Sequence, residues 1–227
     1  MGFMSSPARR RGRPALGAPR LTRAAIVTAA LAQIDEHGIS DVSMRSVAKH
    51  LGVDPKSLYN HVRDKEDLLD AIAEAILSSI VVHVPTGDLP GDLTAIAHAF
   101  RDAALAHPRA AELVLTRQVQ SLAALRPTQS ILDVLLGAGF APVEAVHLLR
   151  SLLSTLVGTL LREVDAAPTF GVTDAAAIER RRTVLAGCGL PAVEAVAGDL
   201  ARFDADAEFE YMIRLSIDAV SARLPRG

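Results

Sequence analysis

Ser43-Met44-Arg45-Ser46-Val47-Ala48-Lys49-His50-Leu51-Gly52-Val53-Asp54-Pro55-Lys56-Ser57-Leu58-Tyr59-Asn60-His61-Val62 spells out two helices and the turn between them. A helix starts after Ser43 and buries Val47, Ala48 and Leu51, and Gly52 supplies the left-handed stop that lets the chain turn sharply. Asp54 is an N-cap type, Pro55 suits a first helical position, and a short helix runs to about His61 with Leu58 and Val62 facing inward. The core of the pattern is Ala48-x3-Gly52-x5-Leu58: a small residue where the next helix crosses, a glycine at the turn, and apolar positions that lock the crossing angle. This turns Lys56, Ser57, Tyr59, Asn60 and His61 outward. An ammonium, a hydroxyl, a phenol, an imidazole and an amide are the side-chain types that meet phosphates and base edges. The same Ala-x3-Gly spacing occurs by chance in bends between core helices, but the outward set and the charge distribution favour a DNA-binding helix-turn-helix.

Around this segment the pattern stays helical. From Thr22, Ile26, Val27, Ala30, Leu31 and Ile34 paint one face of a helix that ends at Gly38. Asp64 caps a fourth helix, whose stripe Leu68, Leu69, Ile72, Ala73, Ile76, Leu77 and Ile80 is broken by Pro85 and Gly87. Further helices are predicted near 92–107, 109–125, 127–137, 142–165 and 204–223, separated by Pro and Gly, with 166–203 a mobile connection holding one or two short helices. Half of the 227 residues are apolar, dominated by Ala and Leu with no Trp and two Tyr, which favours helix over sheet. The expected fold is all-α: a flexible basic arm over 1–20, a three-helix DNA-binding head over 21–66, and a larger helical ligand-binding and dimerisation domain over 67–227.

The net charge of −2 conceals a division. Residues 1–65 hold 11 Lys and Arg against 5 Asp and Glu, while the rest holds 13 against 21, a basic head on an acidic body. The arm sequence Arg11-Gly12-Arg13-Pro14 fits a minor-groove hook as well as it fits a solvated tail. Lys49 and Arg63 suit a surface charge or a phosphate contact equally, and Arg180-Arg181-Arg182 reads as a solvated helix face. A single cysteine, Cys188, allows no internal disulfide, and no uncharged run exceeds the 13 residues from Ala75 to Gly87, which suggests a soluble, cytoplasmic protein without a membrane partner. The histidines lack metal-site spacing, and no nucleophile–base pair, paired carboxylates or phosphate loop points to an enzyme; neither catalytic residues, a metal nor a cofactor is expected.

The run Ser43–Val53, with Ser57-Leu58-Tyr59-Asn60-His61-Val62 and Asp64-Lys65-Glu66-Asp67-Leu68-Leu69, resembles the DNA-binding domain of the TetR family of bacterial repressors. Position by position, the resemblance implies that Arg45 reaches a base edge and that Pro55 and Lys56 sit at the groove. It likewise implies that Ser57, Tyr59, His61 and Lys65 grip phosphates, Lys65 at a helix N-terminus whose dipole also favours an anion.

Phe100–His107 and Gly137–Ala145 are similar to the regulatory domain of the tetracycline-repressor branch. In that branch a His and a Glu bind a magnesium–tetracycline complex. Here Val114 falls at the His and Arg162 at or beside the Glu, and Val81 and Ile96 replace polar drug contacts while Phe100 keeps its aromatic. The implied inducer is largely apolar and metal-free, with Gln118, His147, Ser151 and Ser154 as its few polar anchors. A recognition helix under ten residues long needs a two-fold partner to read a palindrome, so a homodimer is expected, built from Val143–Val164 and Ala207–Leu224 with Phe209, Ile213, Ile217 and Val220 as its second stripe. Two alternatives stay open: a DNA-binding or architectural protein without a ligand, and an enzyme with a vestigial head.

Overall fold

Thr22 Oγ1 accepts the Ala25 amide and starts α1 (Arg23–His37), which buries Ile26, Val27, Ala30 and Ile34. The structure, a computed structural model, describes residues 21–81, 83–117, 121–164 and 171–224. A short 3-10 turn leads to α2 (Met44–Leu51), opened by a reciprocal pair in which Ser43 and Ser46 side chains cap each other's backbone amides at 3.0 and 2.9 Å. It closes on Gly52 at φ +66°, with Val53 N–H donating to the Ala48 carbonyl and Gly52 N–H to Lys49, the glycine-terminated helix end that aims the next helix across it. α3 (Pro55–Leu58) is a single turn capped by Asp54, and α4 (Lys65–Ser79) is capped by Asp64 Oδ1 on the Asp67 amide at 2.8 Å.

α4 joins the two halves. It packs on α1 in the head, and in the body on α5 (Leu89–Leu105), α6 (Ala111–Thr116) and α7 (Arg126–Gly137), so one continuous apolar cluster runs from Ile26 to Val220. The body's spine is α8 (Pro142–Val164) against α12 (Ala205–Ser221), antiparallel because Arg101 joins Glu163 at the end of α8 to Asp206 at the start of α12, while Arg223 reaches Glu144 at the opposite end. Between them α9 (Ala175–Ala186), α10 (Pro191–Ala195) and α11 (Ala197–Ala201) pack on one another, and a parallel backbone bridge between Val172 and Arg202 closes their base. α8 alone among the described helices has the length and mean hydropathy of a membrane span, yet Leu148, Leu149, Leu156 and Leu160 are buried in the protein's own core.

The all-helical fold agrees with the sequence, and three local expectations do not. The helix expected over 109–125 stops at Thr116, because Arg117 leaves it with extended backbone to pair with Glu66 and Asp70 on α4. The 166–203 connection holds three helices rather than one or two. Phe209, Ile213, Ile217 and Val220, expected on a dimer stripe, are buried inside the protomer against α5 and α8; α12 presents Tyr211 and Leu215 to solvent instead.

Candidate nucleic-acid interface and ligand cavity

The turn at Gly52 and the buried Leu58 and Val62 leave α3 only one way to face, and the outward side carries the expected residues. Arg45 on the first turn of α2, Pro55 and Lys56 on α3, and Tyr59 and Asn60 just after it are exposed, while Ser57, His61 and Lys65 are half-buried. None of the side chains of Arg45, Lys56, Tyr59, Asn60 and Lys65 makes an ion pair or side-chain hydrogen bond among the described residues. Other cations behave differently: Arg23 is bound to Asp67, Arg101 to Glu163 and Asp206, and Arg117 to Glu66 and Asp70. These carboxylates raise the arginines above their ordinary pKa, through hydrogen bonding first and charge second. Within the described head, Arg23 is held on Asp67 and Arg63 lies 3.7 Å from the same carboxylate, whereas Arg45, Lys49, Lys56 and Lys65 have no ion pair among the described residues. The arm over 1–20 lies outside the described residues.

In the body, Leu93, Ile96 and Ala97 of α5 face Ile131 of α7, Leu152 and Leu156 of α8, and Ile213 and Ile217 of α12 around an apolar cavity of about 30 Å³. That is room for about one water molecule, so the surrounding side chains nearly fill the space. Ile96 also borders a smaller void of about 10 Å³ with Val81, His83 and Ser130. Phe100, one turn beyond Ile96, and Val114 on α6 are buried in the same core. Val81 is 80 % exposed on the loop after α4, so it edges the small void without enclosing it. Gln118 lies outside the described residues.

His147, Ser151 and Ser154 require correction. Their spacing does place them on one stripe of α8, but it is the solvent stripe: Leu148, Leu152 and Leu156 take the inward phase, and all three polar residues are exposed. The polar groups at the cavity are Thr155 and Ser216, the former hidden from sequence reasoning by its leucine-rich surroundings although it falls in phase with Leu152 and Leu156. Arg162 stays out of the cavity, its guanidinium 5.4 Å from the centre of the Phe203 ring. Two larger spaces are open grooves: about 520 Å³ between head and body, bordered by Ile39, Arg109, Glu112 and Leu161, and about 440 Å³ beside Arg162 and Phe203.

Two grips tie body to head. Arg109 donates to the carbonyls of Asp35 and Glu36 at the end of α1, with His107 Nδ1 2.9 Å from Asp35, and Arg117 clasps α4. Both flank α6 and connect its two ends to the end of α1 and to α4.

Comparison with known proteins agrees with this architecture. Residues 26–72 match the profile of bacterial regulatory proteins of the tetR family, and residues 83–224 that of the tetracyclin repressor-like C-terminal domain. An HTH-type transcriptional regulator of Saccharopolyspora erythraea is 31 % identical over 146 residues, which span 64 % of this chain and 62 % of that protein. The class A tetracycline repressor protein from transposon 1721 of Escherichia coli is 30 % identical over 201 residues, 87 % of this chain and 89 % of the relative. Among solved structures, the Streptomyces coelicolor TetR family protein ActR in complex with actinorhodin superposes with a TM-score of 0.82 at 23 % identity, covering 92 % of this chain and 100 % of that one. With a helix-turn-helix head before a tetracyclin repressor-like helical domain, the chain belongs to the TetR family of bacterial transcriptional regulators.

Proposed function

We propose that the protein is a repressor that binds a palindromic operator as a homodimer and is released by a small, largely apolar inducer. The observation that carries the reading is the set of unengaged side chains at the starts of α2, α3 and α4 and just after α3: Arg45, Lys56, Tyr59 and Asn60, all exposed, and the half-buried Lys65. Arg45 and Asn60 are the base-reading types, and Pro55, Lys56, Ser57, Tyr59, His61 and Lys65 line the groove and phosphates. The head is residues 21–66 and the body 67–227, with α4 as the shared beam.

The solvent stripes of α8 and α12 form the dimer face. His147, Ser151, Ser154 and Gly158 on one helix and Tyr211 and Leu215 on the other are exposed, and two such antiparallel pairs make a four-helix bundle. The serines and glycine keep side chains short where helices of two protomers approach.

The inducer occupies the apolar cavity beside Ile96 and Phe100. Since that space holds about 30 Å³, a ligand of ordinary size selects a conformation in which α5, α7, α8 and α12 part. α6 moves with them, and Arg109 and Arg117 carry the change to α1 and α4, altering the separation of the two heads. Neither Val114 nor the exposed Arg162 can hold a metal, so the ligand enters without magnesium. The class of ligand fits a relative solved with actinorhodin better than a metal-chelated tetracycline.

The test is anisotropy titration of a duplex that the protein retains from a randomised pool, repeated with apolar polycyclic compounds in magnesium and in chelator. Release by such compounds at equal concentrations in both buffers supports the reading; release that needs magnesium contradicts the pocket assignment.

A further inference from the structure

Arg23, the first residue of α1, spends its charge inside the head. Its Nη1 donates to the His61 carbonyl at 2.9 Å and to Asp67 Oδ2 at 3.1 Å, and Nη2 donates to Asp67 Oδ1 at 2.9 Å. Asp67 Oδ2 also accepts the Arg63 amide at 2.8 Å, and the Asp67 amide is held by Asp64 Oδ1. One guanidinium–carboxylate pair therefore grips the chain at residues 61, 63 and 67, the whole connection from the outward-facing segment to α4.

That connection matters because α3 is four residues long. A single helical turn has little stiffness of its own, so its attitude is set by what holds its two ends. The Gly52 turn holds the front. Behind it, the His61 and Val62 amides close onto the Leu58 carbonyl, and the next fixed points are the His61 carbonyl and the Arg63 amide, both in the Arg23–Asp67 network. The pairing is a two-pronged fork with a third bond to the backbone, a geometry that a lysine ammonium cannot reproduce. Asp67 is held down to about 2 by its hydrogen bond to Arg23 and then by the Arg63 amide, so the pair is charged at neutral pH.

We propose that Arg23 is a positioning residue for operator reading: held on Asp67, it acts through the His61 carbonyl and the Arg63 amide to set the recognition segment against α4, and makes no phosphate contact. This rests on the reading of residues 55–61 as the DNA-contacting segment.

The experiment measures affinity of the full chain for a duplex enriched by the wild type from a randomised pool, as a function of salt, for Arg23→Gln, Arg23→Lys, Asp67→Asn and the double variant R23Q/D67N. Positioning requires that R23Q and D67N each weaken binding by roughly ten-fold, about one lost charge-assisted hydrogen bond. The double variant should be no weaker than the worse single one, and R23K should fall with R23Q. The slope of log affinity against log salt stays at the wild-type value. D67N is the sharpest arm, because removing a negative charge from a DNA-binding surface tightens binding when charge alone matters. Tighter binding by D67N, or a slope reduced by about one in R23Q, shows a phosphate contact instead and overturns the proposal. Unchanged affinity in variants that merely melt earlier also overturns it, leaving a purely structural pair. If R23Q or D67N is unfolded by circular dichroism at the assay temperature, R23K decides alone: full affinity refutes the requirement for the fork. A wild-type chain that enriches no duplex refutes the DNA reading itself, an outcome distinct from all of these.

Discussion

At the scale of single residues, what decides function is whether a charged side chain already has a partner. Arg23, Arg101 and Arg117 are engaged, whereas Arg45, Lys56 and Lys65 are not, and only the second group has charge to offer DNA. Arg45→Ala is expected to weaken binding by about 1–3 kcal/mol and to relax discrimination at one base pair, while Lys65→Ala weakens all sequences alike and lowers the salt slope by about one. Titrations across single-base variants of an enriched duplex check this; identical profiles for the two variants contradict the assignment. Residue types in the head are legible because capping, turn and burial rules act over a few positions, as Ser43, Gly52, Asp54 and Asp64 show. His147, Ser151 and Ser154 mislead for the opposite reason. Spacing shows that they share a face of α8 but not which neighbour that face meets, and the leucines one position away hold the inward phase.

Among elements, α4 and the loop that follows it carry the join between head and body. Asp92 on α5 is buried, and its carboxylate meets His83 Nε2 at 2.7 Å and accepts from Thr86 N–H, Thr86 Oγ1 and Gly87 N–H, which pins that loop. Hydrogen bonding, led by His83, holds Asp92 down to about 2. A depressed carboxylate contributes stability that is complete above the ordinary value of about 4 and is lost as pH falls through the folded-state value. The melting temperature of the wild type should therefore drop between roughly pH 4 and pH 2, and Asp92→Asn should melt lower at neutral pH with a flatter acid limb. Parallel acid limbs for the two proteins would show that Asp92 does not carry the dependence. This network escapes sequence reading, since the Asp lies nine positions from its histidine across a loop. So does the end of α6 at Thr116, where ion pairs to α4 override a helical pattern that continues past it. Long apolar helices such as α8 are legible to within a residue or so because their periodicity is sustained over many turns.

At the level of the whole molecule, the sequence concentrates its positive charge early: residues 1–65 hold 11 Lys and Arg against 5 Asp and Glu, and the rest 13 against 21. Five arginines lie in the first 20 residues. Deleting that arm should lower affinity and flatten its salt dependence, because each phosphate it neutralises adds about 0.9 to the slope; an unchanged slope would make the arm a solvated tail. In the proposed function, regulation at this scale runs from a small apolar cavity between α5, α7, α8 and α12 through the neighbouring α6 to the Arg109 and Arg117 contacts. Cavity size is not legible in the sequence, since it depends on how four helices close on one another. The most direct measurement of the central claim is the sequence and stoichiometry of the DNA the protein selects: duplexes recovered from a randomised pool, aligned, and weighed in complex by sedimentation. A dimeric operator-binding repressor requires two inverted half-sites about one helical turn or a multiple apart, with two protomers on each duplex. A single asymmetric site bound by one protomer, or recovery without any shared sequence, would contradict that function.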